Sequence, residues 1–251
     1  MSETGRVVLI TGAARRIGAA IARHLHAAGW QVALHAYASG TDQAALCAEL
    51  ERVRPASTLA LQADLADTAR LAGMVEATVA RFGRLDALVH NASNFFPTPL
   101  ETATPAQWDA LMAVNARAAY FLAQASAPQL RAHGGAIVHL TDAALSRPLP
   151  AHAPYAAAKG ALATLTAALA VELAPQVRVN AVAPGAILWP EPSQGTPGKS
   201  ETERNAVLAR TPLARTGTPE EIAEAVRWLL QDATYTTGQV IRVDGGRMLA
   251  D

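Results

Sequence analysis

The stretch "VVLITGAARRIGAAIA", Val7 to Ala22, decides the fold. It opens with four consecutive branched apolar residues, as a strand buried on both faces does. Thr11-Gly12 interrupts the run. Ile17 and Ile21, among alanines, then fall at helical spacing. Gly12 permits a tight turn, and the start of the following helix offers unpaired N–H groups and the positive end of a dipole. That end of a helix suits a pyrophosphate. A glycine-spaced loop, here Gly12 to Gly18, is a weak signal alone. Its place after an N-terminal strand strengthens it.

The same alternation continues outward. "RVVLI" (Arg6–Ile10), "QVALHA" (Gln31–Ala36), "TLALQ" (Thr58–Gln62), "LDALVH" (Leu85–His90), "AIVHLT" (Ala136–Thr141) and "VRVNAVAP" (Val177–Pro184) read as short buried strands, and "GQVIRVDGG" (Gly238–Gly246) as a last one. Between them lie helical segments such as "IGAAIARHLHAAG" and "TARLAGMVEATVARFG", ending at Gly29 and Gly83, where a left-handed cap is cheap. The expected fold is α/β: one Rossmann-like domain over residues 1–251, a doubly wound parallel sheet flanked by helices. There are no internal repeats and no low-complexity tracts. One segment breaks the rhythm. "PGAILWPEPSQGTPGKSETE", Pro184 to Glu203, has four prolines and three glycines after the sixth strand. It reads as a substrate lid at about 185–210, or as a surface insertion.

Half of the chain is hydrophobic (51%), only 17% is charged, and 21 basic residues balance 21 acidic ones. Such a chain can bury a large core and shows no electrostatic footprint for nucleic acid or an acidic membrane. The single Cys47 excludes an internal disulfide, which fits a reducing compartment. The N-terminus lacks the pattern of a signal peptide, and no apolar run long enough for a bilayer is free of charge or proline. The expectation is a cytoplasmic protein with no membrane, nucleic-acid or metal partner.

Arg16 stands where the common three-glycine loop has its middle glycine. It would project a planar cation toward phosphate or a planar substrate. After the second strand, where NAD sites commonly carry an acid for the ribose hydroxyl, stand His35, Tyr37 and Ser39, with no carboxylate before Asp42. With Arg15 and Arg16 nearby this favours NADP, although a histidine in a strand can equally be a core residue. Tyr155 and Lys159 are four apart and share a helix face. An ammonium beside a phenol is expected to lower the phenol's pKa, which suits proton donation during hydride transfer. The bland alternative, a solvated helix face, weakens beside a phosphate loop and Asn115. Thirteen residues before Tyr155 stands Asp142, where a serine is usual. It is either a proton-handling carboxylate or a turn acid.

Over nearly its whole length the chain resembles the short-chain dehydrogenase/reductase family. The matches are Thr11-Gly12 with Gly18, Asp64-Leu65, Asn91-Ala92, Asn115, Tyr155 with Lys159, Asn180, Pro184-Gly185 and Val243-Asp244-Gly245-Gly246. Its departures, Arg16, "HNASNFFPTPL" (His90–Leu100) and Asp142, resemble the pteridine reductase subgroup, as does "PGAILWPE". Ala38 differs from many members, which have a basic residue before the serine. The resemblance implies an NADPH-dependent pterin reductase, usually a homotetramer, acting on 7,8-dihydropterin and extending to oxidised pterins or dihydrofolate. It implies that Tyr155 donates a proton, that Lys159 tunes it and binds the nicotinamide ribose, and that Asn115 holds a helix kink and a water. Asp142 would polarise Tyr155 and relay protons to a ring nitrogen. Phe95 would cover the pterin, with Arg16, Ser93 and Leu188 beside it. Ile17, Asp64, Leu65, Asn91, Ala92, Pro184 and Gly185 would line the cofactor. The rival readings are a carbonyl reductase for another cyclic or planar substrate and a non-catalytic NADP sensor.

Overall fold

The computed structural model describes residues 5–189, 198 and 200–250. Seven strands among them form one sheet: β1 (Val7–Ile10), β2 (Gln31–Ala36), β3 (Thr58–Gln62), β4 (Ala87–His90), β5 (Ala136–Leu140), β6 (Arg178–Pro184) and β7 (Val240–Val243). All are parallel, in the order β3-β2-β1-β4-β5-β6-β7. The helices are α1 (Arg16–Ala27), α2 (Gly40–Val53), α3 (Leu71–Phe82), α4 (Pro105–Met112), α5 (Ala118–His133), α6 (Ala153–Leu173), α7 (Glu201–Ala209) and α8 (Pro219–Gln231). The expected doubly wound α/β fold is therefore present.

Alternate strand residues face opposite layers. Val8 and Ile10 pack with α1, α2 and α8 through Ile21, Leu25, Leu46 and Val226. Val7 and Leu9 pack with α3, α5 and α6 through Val75, Leu122, Leu130 and Leu169. Gly29 and Gly83 do take positive φ, 93° and 81°, at the ends of α1 and α3. β4 starts at Ala87 rather than Leu85, although β1 and β5 still hydrogen-bond the backbone of Asp86. Its Oδ2 accepts from the Val7 N–H at 2.8 Å, and its carboxylate pairs with Arg84. α6 is long and apolar enough to cross a bilayer by length and composition. It nonetheless carries Pro154, Lys159 and Glu172, and its buried face packs on the sheet, as a core helix does.

Chain direction across the sheet reverses between β1 and β4, so loops part at their carboxyl ends and leave a crevice. The loops after β1 to β6 converge there.

Candidate active site

The crevice has two lobes. The first, about 650 Å³, runs from the β1 loop past the ends of β2 and β3; the second, about 490 Å³, lies beyond β4, β5 and β6. Arg16, Ile17, Asn91 and Ser93 border both.

The floor of the first lobe is the Thr11–Gly18 loop. Gly12 has φ +62°, and Arg16 is left-handed too, at φ +54°. A Cβ on Gly18 would lie 2.1 Å from the Gly12 carbonyl oxygen and 2.7 Å from Asn91 Nδ2, so only glycine lets the helix start so close to the loop. The Asn91 amide locks the turn by donating to the Thr11 and Gly12 carbonyls at 3.1 and 2.9 Å. A bare helix N-terminus over a lobe of this size fits a dinucleotide. Gly12, Arg15, Arg16, Ile17 and Gly18 would surround its phosphates. Tyr37, Ser39, Asp64 and Leu65 would surround its adenosine, and Asn91, Ala92 and Ser93 its middle.

Two residues expected to touch the cofactor serve the scaffold instead. Thr11 is fully buried and lines neither lobe; its hydroxyl accepts from the N–H groups of Asn91 and Ala92, both at 3.0 Å. His35 reaches the lobe wall, but both its ring nitrogens are engaged. Nδ1 accepts from the Gly12 N–H at 3.2 Å, which leaves Nε2 to donate to the Ala63 carbonyl at 3.0 Å. Burial holds its pKa below the ordinary value, so it is a neutral strut for the loop rather than a cation for phosphate. Arg15 does stand at the adenosine end, where its Nε lies 3.5 Å from Asp42 Oδ2 across an exposed surface.

In the second lobe the Tyr155 hydroxyl donates to Asp142 Oδ2 at 2.7 Å. The other oxygen, Oδ1, accepts from the Ala144 N–H at 2.7 Å and caps the 3₁₀ turn Ala143–Ser146. Asp142 thus caps the turn and accepts from Tyr155 at once. Lys159 is buried and donates to the Leu140 carbonyl at 2.7 Å. Burial lowers its pKa to about 8, against an opposing pull from Asp142. Beneath it lie His90 and His139, edge to face at 6.3 Å. Burial and the Lys159 charge take His139 down to about 3, so both rings stay neutral under the ammonium.

The expected lowering of the Tyr155 pKa is reversed. Burial raises it first, and the Asp142 charge and hydrogen bond raise it further, while Ser93 offsets a part. Burial and a carboxylate at contact set the direction, while the Lys159 ammonium is held at a backbone carbonyl. The phenol therefore keeps its proton at neutral pH and is a loaded donor.

Asn115 lies in a π-helical turn, Ala113–Arg117, between α4 and α5. Its amide faces the backbone of Asn94. Its Oδ1 accepts from the Asn94 N–H at 3.1 Å and its Nδ2 donates to the Asn94 carbonyl at 2.9 Å. It is a positioning residue that clamps the loop bearing Ser93 and Phe95. Phe95 is 42% exposed and borders the lobe, while Phe96 is half-buried outside both core clusters. One Phe95 face stacks on His152 at 4.7 Å and 17°, and its ring meets Tyr155 edge-on at 4.8 Å. The rest of the ring is open to the lobe.

Pro184, Gly185 and Leu188 complete the lobe with Trp189, whose carbonyl accepts from Arg16 at 3.4 Å. Of the expected lid, residues 190–197 and 199 lie outside the described residues, and Glu201–Ala209 forms α7. Sequence reasoning missed Leu149, His152, Val207 and Arg247. The last two come from distant elements and carry no local signal. His152 was in plain view within "AHAPYAAAK".

Residues 12–247 match the family model described as Enoyl-(Acyl carrier protein) reductase. Pteridine reductase 1 of Leishmania tarentolae is 36% identical, covering 99% of this chain and 98% of its own length. A granaticin polyketide synthase ketoacyl reductase of Streptomyces violaceoruber is 38% identical over 97% and 96%. The 3-oxoacyl-[acyl-carrier-protein] reductase FabG of Staphylococcus aureus is 36% identical over 95% and 96%. The chain belongs to the short-chain dehydrogenase/reductase family and is an oxidoreductase of that kind. Relatives named for pterins and for ketoacyl groups are equally similar, so overall identity does not choose between substrates.

Proposed function

We propose that this protein is an NADPH-dependent pteridine reductase that converts 7,8-dihydropterin to tetrahydropterin. The observation that carries the reading is the Asp142–Tyr155 hydrogen bond, made by a carboxylate where ketone-reducing relatives use a hydroxyl. Reduction of C=N adds a hydride to carbon and a proton to nitrogen. The reduced nicotinamide, when bound, supplies the hydride. Tyr155 gives the proton to the ring nitrogen, and Lys159 stabilises the phenolate left behind. Each Asp142 oxygen has a second lone pair beyond its contact with Ala144 or Tyr155. Those pairs can accept N–H groups from the amidine-like edge of a pterin, whereas a serine's two lone pairs would both be used by the Ala144 and Tyr155 contacts. The exposed part of the Phe95 ring offers a flat substrate an aromatic partner. The exposed Trp108, Tyr120 and Phe121 of α4 and α5 support assembly of the chain as a homotetramer.

The test is NADPH oxidation with dihydrobiopterin, dihydrofolate and a panel of ketones and ketoacyl thioesters, for the wild type and Asp142→Ser. Pterin turnover should exceed ketone turnover in the wild type. In the variant it should fall about 10²-fold or more, within the usual range for acid–base groups, with NADPH affinity retained. Ketone turnover alone would favour a carbonyl reductase. No turnover of any substrate would favour a sensor.

A further inference from the structure

Beside the substrate lobe lies a third cavity of about 380 Å³. The two share Ala144, Leu149, Val207 and Arg247, so the annex adjoins the lobe that holds Tyr155. The annex itself is basic. Arg147 from the loop after β5, Arg210 at the end of α7 and Arg247 after β7 reach its wall from three separate elements. Among the described residues none of the three guanidinium groups forms an ion pair. Arg210 Nε reaches only the Ala206 carbonyl, at 3.4 Å. One carboxylate shares the wall. Glu203 turns back to cap α7, where its Oε2 accepts from the Ser200 N–H and hydroxyl at 2.7 and 2.8 Å. Three arginines and one acid, whose Oε2 is engaged in the helix cap, line the annex, in a chain whose overall charge is balanced. Planar guanidinium forks are suited to bind carboxylate or phosphate oxygens.

We propose that the annex is a subsite for an anionic tail on the substrate, and that Arg147, Arg210 and Arg247 select for that tail. The substrate would then be a planar head carrying carboxylates or a phosphate ester on a chain long enough to pass Leu149 and Val207. The assignment of the head to a pterin rests on the function proposed above; the tail subsite does not.

The test compares kcat/KM for 7,8-dihydrofolate, whose tail ends in carboxylates, with 7,8-dihydrobiopterin, whose tail is uncharged. A dihydropterin with a phosphate monoester on its side chain is the third probe. At low salt a charged tail should give about a tenfold advantage, the scale of one or two solvent-screened charge-assisted contacts. The advantage should shrink as the Debye length falls from about 30 Å to about 8 Å between 0.01 M and 0.15 M salt. Whichever charged probe is preferred identifies the tail as carboxylate or phosphate. The double variant Arg147→Ala/Arg210→Ala should lose most of the advantage while its activity on dihydrobiopterin and its Tm stay near wild type. Arg147→Lys/Arg210→Lys should retain much of it. Equal kcat/KM for charged and neutral tails, or a preference that survives in the alanine variant, overturns the proposal. If the wild type reduces no pterin, the function proposed above fails. The same double variant is then read with acetoacetyl-CoA against the uncharged acetoacetyl-N-acetylcysteamine, and the same two results decide the subsite.

Discussion

At Lys159, burial removes most of the water that would stabilise an ammonium, and the pKa falls from 10.5 to about 8. The folded state thus binds fewer protons than the unfolded state between about pH 8 and 10.5. Stability gains a favourable increment as pH rises through that window, and the burial penalty is fully felt below it. Activity should run the other way, because the phenolate formed at Tyr155 needs the cation. We expect an alkaline limb in kcat/KM with an apparent midpoint near pH 8. In Lys159→Arg any remaining activity should lose that limb, since a guanidinium does not titrate there. A limb unchanged in the arginine variant would assign it to another group. Phe95 makes a second residue-scale case. Its exposed ring contributes little to the core, so Phe95→Ala should raise the pterin KM several-fold, in line with about 0.5–1.5 kcal/mol for aromatic stacking. Its Tm should shift little. A large drop in Tm with an unchanged KM would return Phe95 to a structural role.

Elements of this protein are well marked where polar turns bound a short apolar run. β2 and β3 match the sequence expectation to the residue, because an apolar run between polar turns leaves little choice of boundary. The phosphate loop was legible for a similar reason: Gly12 and Gly18 are required by the backbone itself. Gly18→Ala would force a methyl against the Gly12 carbonyl. We expect it to cost about 1–3 kcal/mol, the scale of overpacking. In a chain of this size that lowers Tm by about 2–12 °C, and differential scanning fluorimetry would measure it. Tolerance of alanine would mean that the loop and α1 can separate. Other elements went unread although signals existed. Thr104-x-x-Gln107 and Thr218-x-x-Glu221 are capping boxes with proline at the first turn, and they open α4 and α8. The π-turn around Asn115 had no such mark. It follows from a tertiary bond to Asn94, twenty-one residues away, which no local pattern encodes. The Tyr155 pKa was misjudged for the same kind of reason, since spacing placed Lys159 on the right face but could not show Asp142 at contact.

The whole molecule is a sheet whose open edge is completed by what it binds. The first lobe joins loops from β1, β2, β3 and β4, so a dinucleotide there would tie together both halves of the doubly wound sheet. NADPH at about 100 times its Kd should stabilise the fold by about 2.7 kcal/mol. That corresponds to a Tm rise of about 5–11 °C. NADH at the same concentration should give much less. The exposed Arg15–Asp42 pair is weak enough for a 2′-phosphate to displace, and a ribose hydroxyl has less to offer Arg15. Arg15→Ala should narrow the gap, and equal Tm shifts for the two cofactors in the wild type would sink the NADPH preference. The double engagement of Asp142 has a historical consequence. One oxygen caps a turn and the other meets Tyr155. Serine is as good a cap as aspartate. Exchange between the two at this position would therefore change the chemistry of the site and spare the scaffold. Lineages could cross from ketone to pterin reduction, or back, without passing through a misfolded ancestor.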